Sequence, residues 1–315
     1  MHLACKGSRY STPADHEPTL MRLARILALT ATLLFQCAYA TAVTVEDDSG
    51  RTVTLAQPAQ RIVSLSPHAT ELLFAAGAGR RVAGAASYSN YPPAAQDLPA
   101  VGSAGHLNLE AIVALEPDLI VAWKSGNVAP QLERLEKLGI PVFFSEPRRL
   151  DDIATNLQRL GRLAGSSAVA DAAAREFRDG YRALEREYAG RTPVRTFYQI
   201  WHQPLMTVNG KQMINQVITL CGGRNIFADL QTLAPVVNRE AVLAADPQVI
   251  VASGQASERP EWLEHWRKWP QLSAVKNDQL YVIEPDLIQR QTPRLIQGAT
   301  RLCQQLEQAR QAAAR

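Results

Sequence analysis

One pattern of apolar and polar positions occurs twice in this chain, 130 residues apart. Asn108-Leu-Glu-Ala-Ile-Val-Ala-Leu-Glu-Pro-Asp-Leu-Ile-Val-Ala122 aligns without a gap on Asn238-Arg-Glu-Ala-Val-Leu-Ala-Ala-Asp-Pro-Gln-Val-Ile-Val-Ala252, with 8 of 15 positions identical. Each copy reads as a short helix, a proline break, then a buried strand of Leu/Val-Ile-Val-Ala. Asn108 and Asn238 are placed to cap the helices. Glu110 and Glu240 fall in the first turn, where the helix dipole favours a carboxylate.

A weaker echo relates Glu71-Leu-Leu-Phe-Ala-Ala-Gly-Ala-Gly-Arg-Arg to Gln216-Val-Ile-Thr-Leu-Cys-Gly-Gly-Arg-Asn. Each follows a strand-like run, Arg61–Ser66 and Arg195–Ile200. Both halves therefore begin with strand, loop, helix and glycine stop, and later add the helix–proline–strand unit. This alternation predicts α/β units with mainly parallel strands.

Between the halves, Val169, Ala173, Phe177, Tyr181, Leu184 and Tyr188 recur at spacings of three and four, one apolar stripe on one helix. Ser167 can cap its start and Gly190 can end it. About 22 residues at 1.5 Å each make a rod of roughly 33 Å. The predicted fold class is α/β: two α/β lobes joined by one long helix, with ligand held between the lobes. The predicted domains are residues 1–40 as leader, 41–165 and 191–315 as lobes, and 166–190 as the linker helix.

The leader reading comes from the one long apolar run. From Met21 the chain shows a basic segment (Arg22, Arg25), then Ile26–Phe35, then Ala38-Tyr39-Ala40. This is the layout of an export signal cleaved after Ala40, with Met21 the expected start and residues 1–20 ahead of it. Cys37 raises a lipid-anchored alternative, but Gln36 is a poor neighbour for that processing, so soluble export is expected. Cleavage would remove four basic residues (Lys6, Arg9, Arg22, Arg25) and two acidic ones (Asp15, Glu17), taking the net charge from +3 to +1. That excludes a strongly basic nucleic-acid binder on bulk charge. Cys5 and Cys37 would also go. The remaining pair, Cys221 and Cys303, suggests one disulfide in an exported chain, and two thiols are too few for a four-cysteine zinc site.

Signatures of chemistry are missing. Asn209-Gly210-Lys211 is only a fragment of a phosphate-binding loop. Gly77-Ala-Gly79 follows a helix, so the dinucleotide fingerprint fails on context. There is no Gly-x-Ser-x-Gly and no His-Glu-x-x-His. A binding protein is expected, not an enzyme, and no cofactor.

What remains clusters just after predicted strands: His68; Tyr88, Asn90 and Tyr91; Trp123, Lys124 and Asn127; Trp201, His202 and Gln203; Glu284, Asp286 and Arg290. Aromatic side chains there can cover a large, flat, partly apolar ligand, although each alone also suits ordinary loop packing. His68, His106 and His202 could converge on zinc or manganese, or supply an axial ligand to haem iron or corrin cobalt; solvated loop histidines are the alternative. His265 is read as structural. Trp262, Trp266 and Trp269 fall at i, i+4 and i+7, as on a packed helix face.

Arg61-Ile-Val-Ser-Leu-Ser-Pro-His-Ala-Thr-Glu-Leu-Leu-Phe-Ala-Ala-Gly77, Ser87-Tyr-Ser-Asn-Tyr-Pro-Pro93, Asn108-Leu-Glu110 with Pro117-Asp-Leu-Ile-Val-Ala-Trp123, and Cys221-Gly-Gly-Arg-Asn-Ile-Phe227 resemble the cobalamin-binding proteins of bacterial ABC importers, the BtuF family. The likeness runs from about Arg61 to Leu306. It implies a class III periplasmic binding protein of the helical-backbone type, a monomer that delivers a corrinoid to a permease with its ATPase. It implies that Tyr88 and the segment Asp286-Leu287-Ile288-Gln289-Arg290 contact the corrin. It also implies that Glu110 and Glu240 dock on permease arginines, and that Cys221 pairs with Cys303. Trp123, Trp201, His106 and His202 complete the expected ligand set, with no resident metal. The chain departs from the enteric pattern where tryptophans give way to Ala104 and Ala234, and an aromatic pair to Leu287 and Ile288. Haem, a siderophore or a bare metal ion are therefore the alternative ligands.

Overall fold

The computed structural model describes residues 42–254 and 260–313. The leader, its cleavage site, Cys5 and Cys37 lie outside the described residues. A hairpin of β1 (Val43–Glu46) and β2 (Thr52–Leu55) comes first. The N-terminal half then runs β3 (Ile62–Ser64), α1 (Pro67–Ala75), β4 (Val82–Ala85), α2 (Leu109–Ala114), β5 (Leu119–Ala122), α3 (Ala129–Lys137), β6 (Val142–Phe144) and α4 (Leu150–Leu163). After α5 (Ser167–Tyr188) the C-terminal half runs β7 (Val194–Gln199), α6 (Met213–Leu220), β8 (Gly223–Asn225), α7 (Arg239–Ala245), β9 (Val249–Ser253), β10 (Leu280–Ile283) and α8 (Leu295–Ala313).

Each half builds one four-stranded parallel sheet, ordered β4-β3-β5-β6 and β8-β7-β9-β10. In chain order both are second, first, third, fourth. The repeated Leu/Val-Ile-Val-Ala runs form β5 and β9, interior strands buried at every residue. Burial on both faces is why they carry no polar alternation.

The repeat is physical as well as sequential. Asn108 Oδ1 accepts from the Ala111 amide at 3.0 Å and Asn238 Oδ1 from the Ala241 amide at 2.8 Å. The Arg61 amide donates to Asp118 Oδ1 at 3.0 Å, and the Arg195 amide to Gln248 Oε1 at 3.0 Å. Arg61 Nε reaches the Leu115 carbonyl at 2.8 Å, and Arg195 Nε the Asp246 carbonyl at 2.9 Å. An arginine and a matching acceptor side chain, Asp118 or Gln248, thus pin the first strand of each half to the turn that feeds its third strand.

Helix α5 has its predicted length, but its buried stripe is Ala170, Ala174, Phe177, Leu184 and Tyr188. Val169 is exposed, and Ala173 and Tyr181 are half-buried. The first turns are rotated because α5 presses Ala170 onto Gly161 of α4, where an added Cβ would lie 2.2 Å from the alanine. The helix begins one residue earlier than a Ser167 cap requires. Ser166 precedes it, and its hydroxyl donates to the Ala76 carbonyl at 2.6 Å instead of capping. The tryptophan-rich segment is likewise not one helix: an α turn at Glu261–Glu264 passes into a 3₁₀ turn at His265–Lys268. Trp266 is buried, while Trp262 and Trp269 are half-buried.

Cys221, at the end of α6, is bonded to Cys303 in α8, with Cα atoms 4.6 Å apart at a sequence separation of 82. Among the described residues no helix is long and apolar enough to cross a membrane.

Candidate functional site

In both sheets the strand order reverses between the first strand and the third, and the carboxyl ends of strands at such a reversal are where open α/β sheets place ligands. Trp123 follows β5 and Trp201 follows β7, so each half sets a tryptophan at that edge.

The Trp123 amide donates to Asn127 Oδ1 at 2.7 Å. Asn127 Nδ2 in turn donates to the carbonyls of Leu65 and Ala104, each at 3.0 Å. One buried amide therefore ties together the end of β3, the loop after β5, and the short ribbon Gly102–Ser103/His106–Leu107. His106 lies on that ribbon, exposed. The Trp123 ring meets His68 edge-on, centroids 5.5 Å apart at 81°. It also lies over Gly126, where any Cβ would stand 1.9 Å from the indole. His68 itself is buried, with Nδ1 3.1 Å from the Ser66 hydroxyl. Burial lowers its pKa to about 4, so the imidazole is neutral.

Tyr88, after β4, is 81% exposed with φ +66°. A left-handed backbone at a bulky non-glycine residue needs support from its surroundings. The support comes from the other half, where Arg290 Nη2 donates to the Tyr88 carbonyl at 3.2 Å. Arg290 Nη1 also reaches Glu71 Oε1 at 2.8 Å and Asn90 Oδ1 at 2.6 Å. Asp286 holds Arg290 Nη2 at 2.9 Å and accepts from Asn90 Nδ2 at 2.9 Å. Arg294 completes the cluster, with Nε 2.9 Å from Glu71 Oε2 and its guanidinium 4.0 Å above the Tyr91 ring centroid. Glu71 is buried and faces two guanidinium groups from the opposite half.

The rest of the Asp286–Arg290 segment is held inward. Leu287 and Ile288 are buried, Ile288 in the main apolar core. Gln289 Nε2 donates to the Ser253 hydroxyl at the end of β9, which also meets the Tyr198 hydroxyl. Burial pushes Tyr198 up to about 12, so it remains a neutral phenol.

On the C-terminal side the ribbon Trp201–His202/Leu205–Met206 follows β7. Trp201 is 53% exposed and its Nε1 donates to the Gln203 carbonyl at 3.0 Å. His202 stacks flat on Trp262, centroids 5.5 Å apart at 9°. His202, His265 and Glu240 line one cavity of about 490 Å³. Glu110 and Glu240 are both exposed in the first turns of α2 and α7.

The three candidate histidines do not converge. Among the described residues no three His, Cys, Asp or Glu side chains come together as a set able to hold a metal ion. His68 is packed behind Trp123, while His106 and His202 stand on the ribbons of separate halves. A three-histidine ion site is therefore not built. Sequence reasoning also passed over Glu71 and Arg294 as partners and Asn127 as a brace. The one available signal was Glu71 as the acidic residue of the short α1 segment Pro67–Ala75.

Known proteins match this arrangement. The periplasmic binding protein family model covers residues 62–287. The vitamin B12-binding protein of Vibrio cholerae (strain O395) is 39% identical over 251 residues, 79% of this chain and 90% of that protein. The vitamin B12-binding protein of Yersinia pestis (strain Pestoides F) is 41% identical over 251 residues, 80% and 88% of the two chains. The crystal structure of the periplasmic vitamin B12-binding protein BtuF of Vibrio cholerae superposes with a TM-score of 0.74 at 38% identity, covering 80% of this chain and 98% of that one. The fold and these matches define a periplasmic binding protein, a binding component and not an enzyme. Within that class, the chain belongs to the vitamin B12-binding, or BtuF, family.

Proposed function

We propose that this protein captures vitamin B12, or a corrinoid close to it, between its two halves in the periplasm and delivers it to an ABC importer. The observation that carries this reading is the placement of Trp123, Trp201 and Tyr88 after parallel strands in a chain so similar to vitamin B12-binding proteins. Half-buried and exposed rings suit the broad, partly apolar faces of a corrin. Tyr88, Trp123 and Trp201 are assigned ring contacts. His106 and His202 lie at the edges as candidate polar or axial contacts. Asp286, Gln289 and Arg290 act mainly by holding the wall of the site, with Leu287 and Ile288 as its packing.

The loaded protein, exported and processed after Ala40, would dock through Glu110 and Glu240, one exposed carboxylate per half. Two similar knobs produced by an internal repeat suit a two-fold symmetric permease. The test is titration calorimetry of the chain from Thr41 with cyanocobalamin, then haemin, then zinc. One-to-one cobalamin binding is expected. Silence with cobalamin and saturation by haemin or zinc would transfer the ligand assignment.

A further inference from the structure

The ribbon after β7 has two faces, and partners in register share one of them. Trp201 pairs with Met206, and Met206 bridges to Val236, so these three side chains point one way. His202 pairs with Leu205, whose carbonyl accepts from the Val237 amide, so this row points the other way. All three residues of the second row line the cavity of about 490 Å³. The cavity therefore lies on the opposite face of the ribbon from Trp201, behind the wall assigned to the corrin. Its other wall is the tryptophan segment between β9 and β10. His202 lies flat on Trp262, and Trp266 is fixed by its Nε1 donating to Gln199 Oε1 at 2.8 Å. Arg239 lies 4.9 Å above the Trp269 ring centroid, and among the described residues no carboxylate pairs with it. His265 adds a second imidazole, and Glu240 is the single carboxylate of the lining.

We infer that this cavity is a second ligand site, separate from the corrin site, for an aromatic anion of the nucleoside monophosphate class. Indole and imidazole walls suit a flat ring, and ligand pockets span roughly 300–1,000 Å³, so the volume fits one such molecule. A guanidinium held against an indole and lacking a carboxylate of its own offers a rigid fork of N–H donors to a phosphate. The imidazoles of His202 and His265 can donate beside it. Glu240 is the one group that opposes an anionic guest, so Arg239 and Glu240 together report the sign of the guest's charge. The ring and the phosphate each find a partner here, and neither depends on the corrin.

The experiment follows the indole N–H signals of Trp262 and Trp269 by NMR while the protein is titrated with adenosine monophosphate. Adenosine, which lacks the phosphate, and inorganic phosphate, which lacks the ring, are titrated alongside. Saturable shifts are expected with the monophosphate and weaker binding with either part alone. Binding should be about 3–10-fold weaker in Arg239→Gln, partly restored in Arg239→Lys, and tighter in Glu240→Gln. No saturable shift, adenosine binding as tightly as the monophosphate, or unchanged binding in Arg239→Gln would overturn the site. Weaker binding in Glu240→Gln would overturn it too, as the mark of a cationic guest. The titration is repeated with cyanocobalamin present in excess. Unchanged affinity for the monophosphate is expected, and its loss would overturn the separateness of the two sites. Cyanocobalamin calorimetry on the same sample reports the corrinoid assignment by itself, so the two failures are distinguishable.

Discussion

Arg290 and Glu71 stand 219 residues apart in sequence and meet at 2.8 Å, one from each half of the protein. The arginine assigned to the ligand segment is thereby a clamp between halves, and it steadies the left-handed backbone of Tyr88. Glu71→Gln should leave Arg290 and Arg294 facing an amide that cannot balance them. Breaking a buried pair from one side costs about 3–5 kcal/mol. Urea unfolding should show a loss of that order, with weaker cobalamin binding; wild-type stability would mean that the clamp contributes nothing.

Asn127 braces three segments behind Trp123. Asn127→Ala should leave the Leu65 and Ala104 carbonyls without that donor, costing about 1–3 kcal/mol for each group left unsatisfied. Cobalamin affinity should fall with it, because the indole loses its backbone anchor. Tyr88→Ala, by contrast, should lower affinity with little change in stability, since that ring is exposed. Calorimetry that finds Tyr88→Ala unchanged would remove the ring from the site.

Glu110→Ala and Glu240→Ala should each impair vitamin uptake while calorimetry finds cobalamin affinity unaltered. A large loss of binding in either variant would contradict the docking assignment.

His68 makes stability depend on pH. Its folded pKa, lowered by burial to about 4, lies below the ordinary imidazole value of 6.5. The unfolded chain therefore takes up a proton as pH falls through 6.5 while the folded protein resists until about 4. This contribution is full above pH 6.5 and declines towards pH 4. Between pH 7 and pH 5 the loss should be about 2 kcal/mol. Urea unfolding of His68→Asn at the two pH values should lack that part of the decline.

Reducing the Cys221–Cys303 bond, or replacing both residues by serine, should cost about 2–4 kcal/mol through the restored freedom of the unfolded chain. A denaturation midpoint unmoved by reductant would show that the bond does not contribute in solution.

The sequence alone determined what depends on neighbours a few positions away. The asparagine caps, the proline breaks, the interior strands of the repeat and the length of α5 follow from periodicity and backbone hydrogen bonding, which act locally. Two similar local patterns could build two sheets of the same strand order, and they did. Tertiary structure decided what depends on distant partners. Which face of α5 is buried in its first turns was set by Gly161 admitting Ala170. Leu287 and Ile288 turned inward because the core could hold them. The partners of Glu71, Arg290 and Asn127 lie up to 223 residues away, beyond the reach of any spacing rule. The histidines looked alike in sequence, yet one is sealed behind Trp123 and two stand on separate ribbons, because convergence is a property of packed elements and not of residue type.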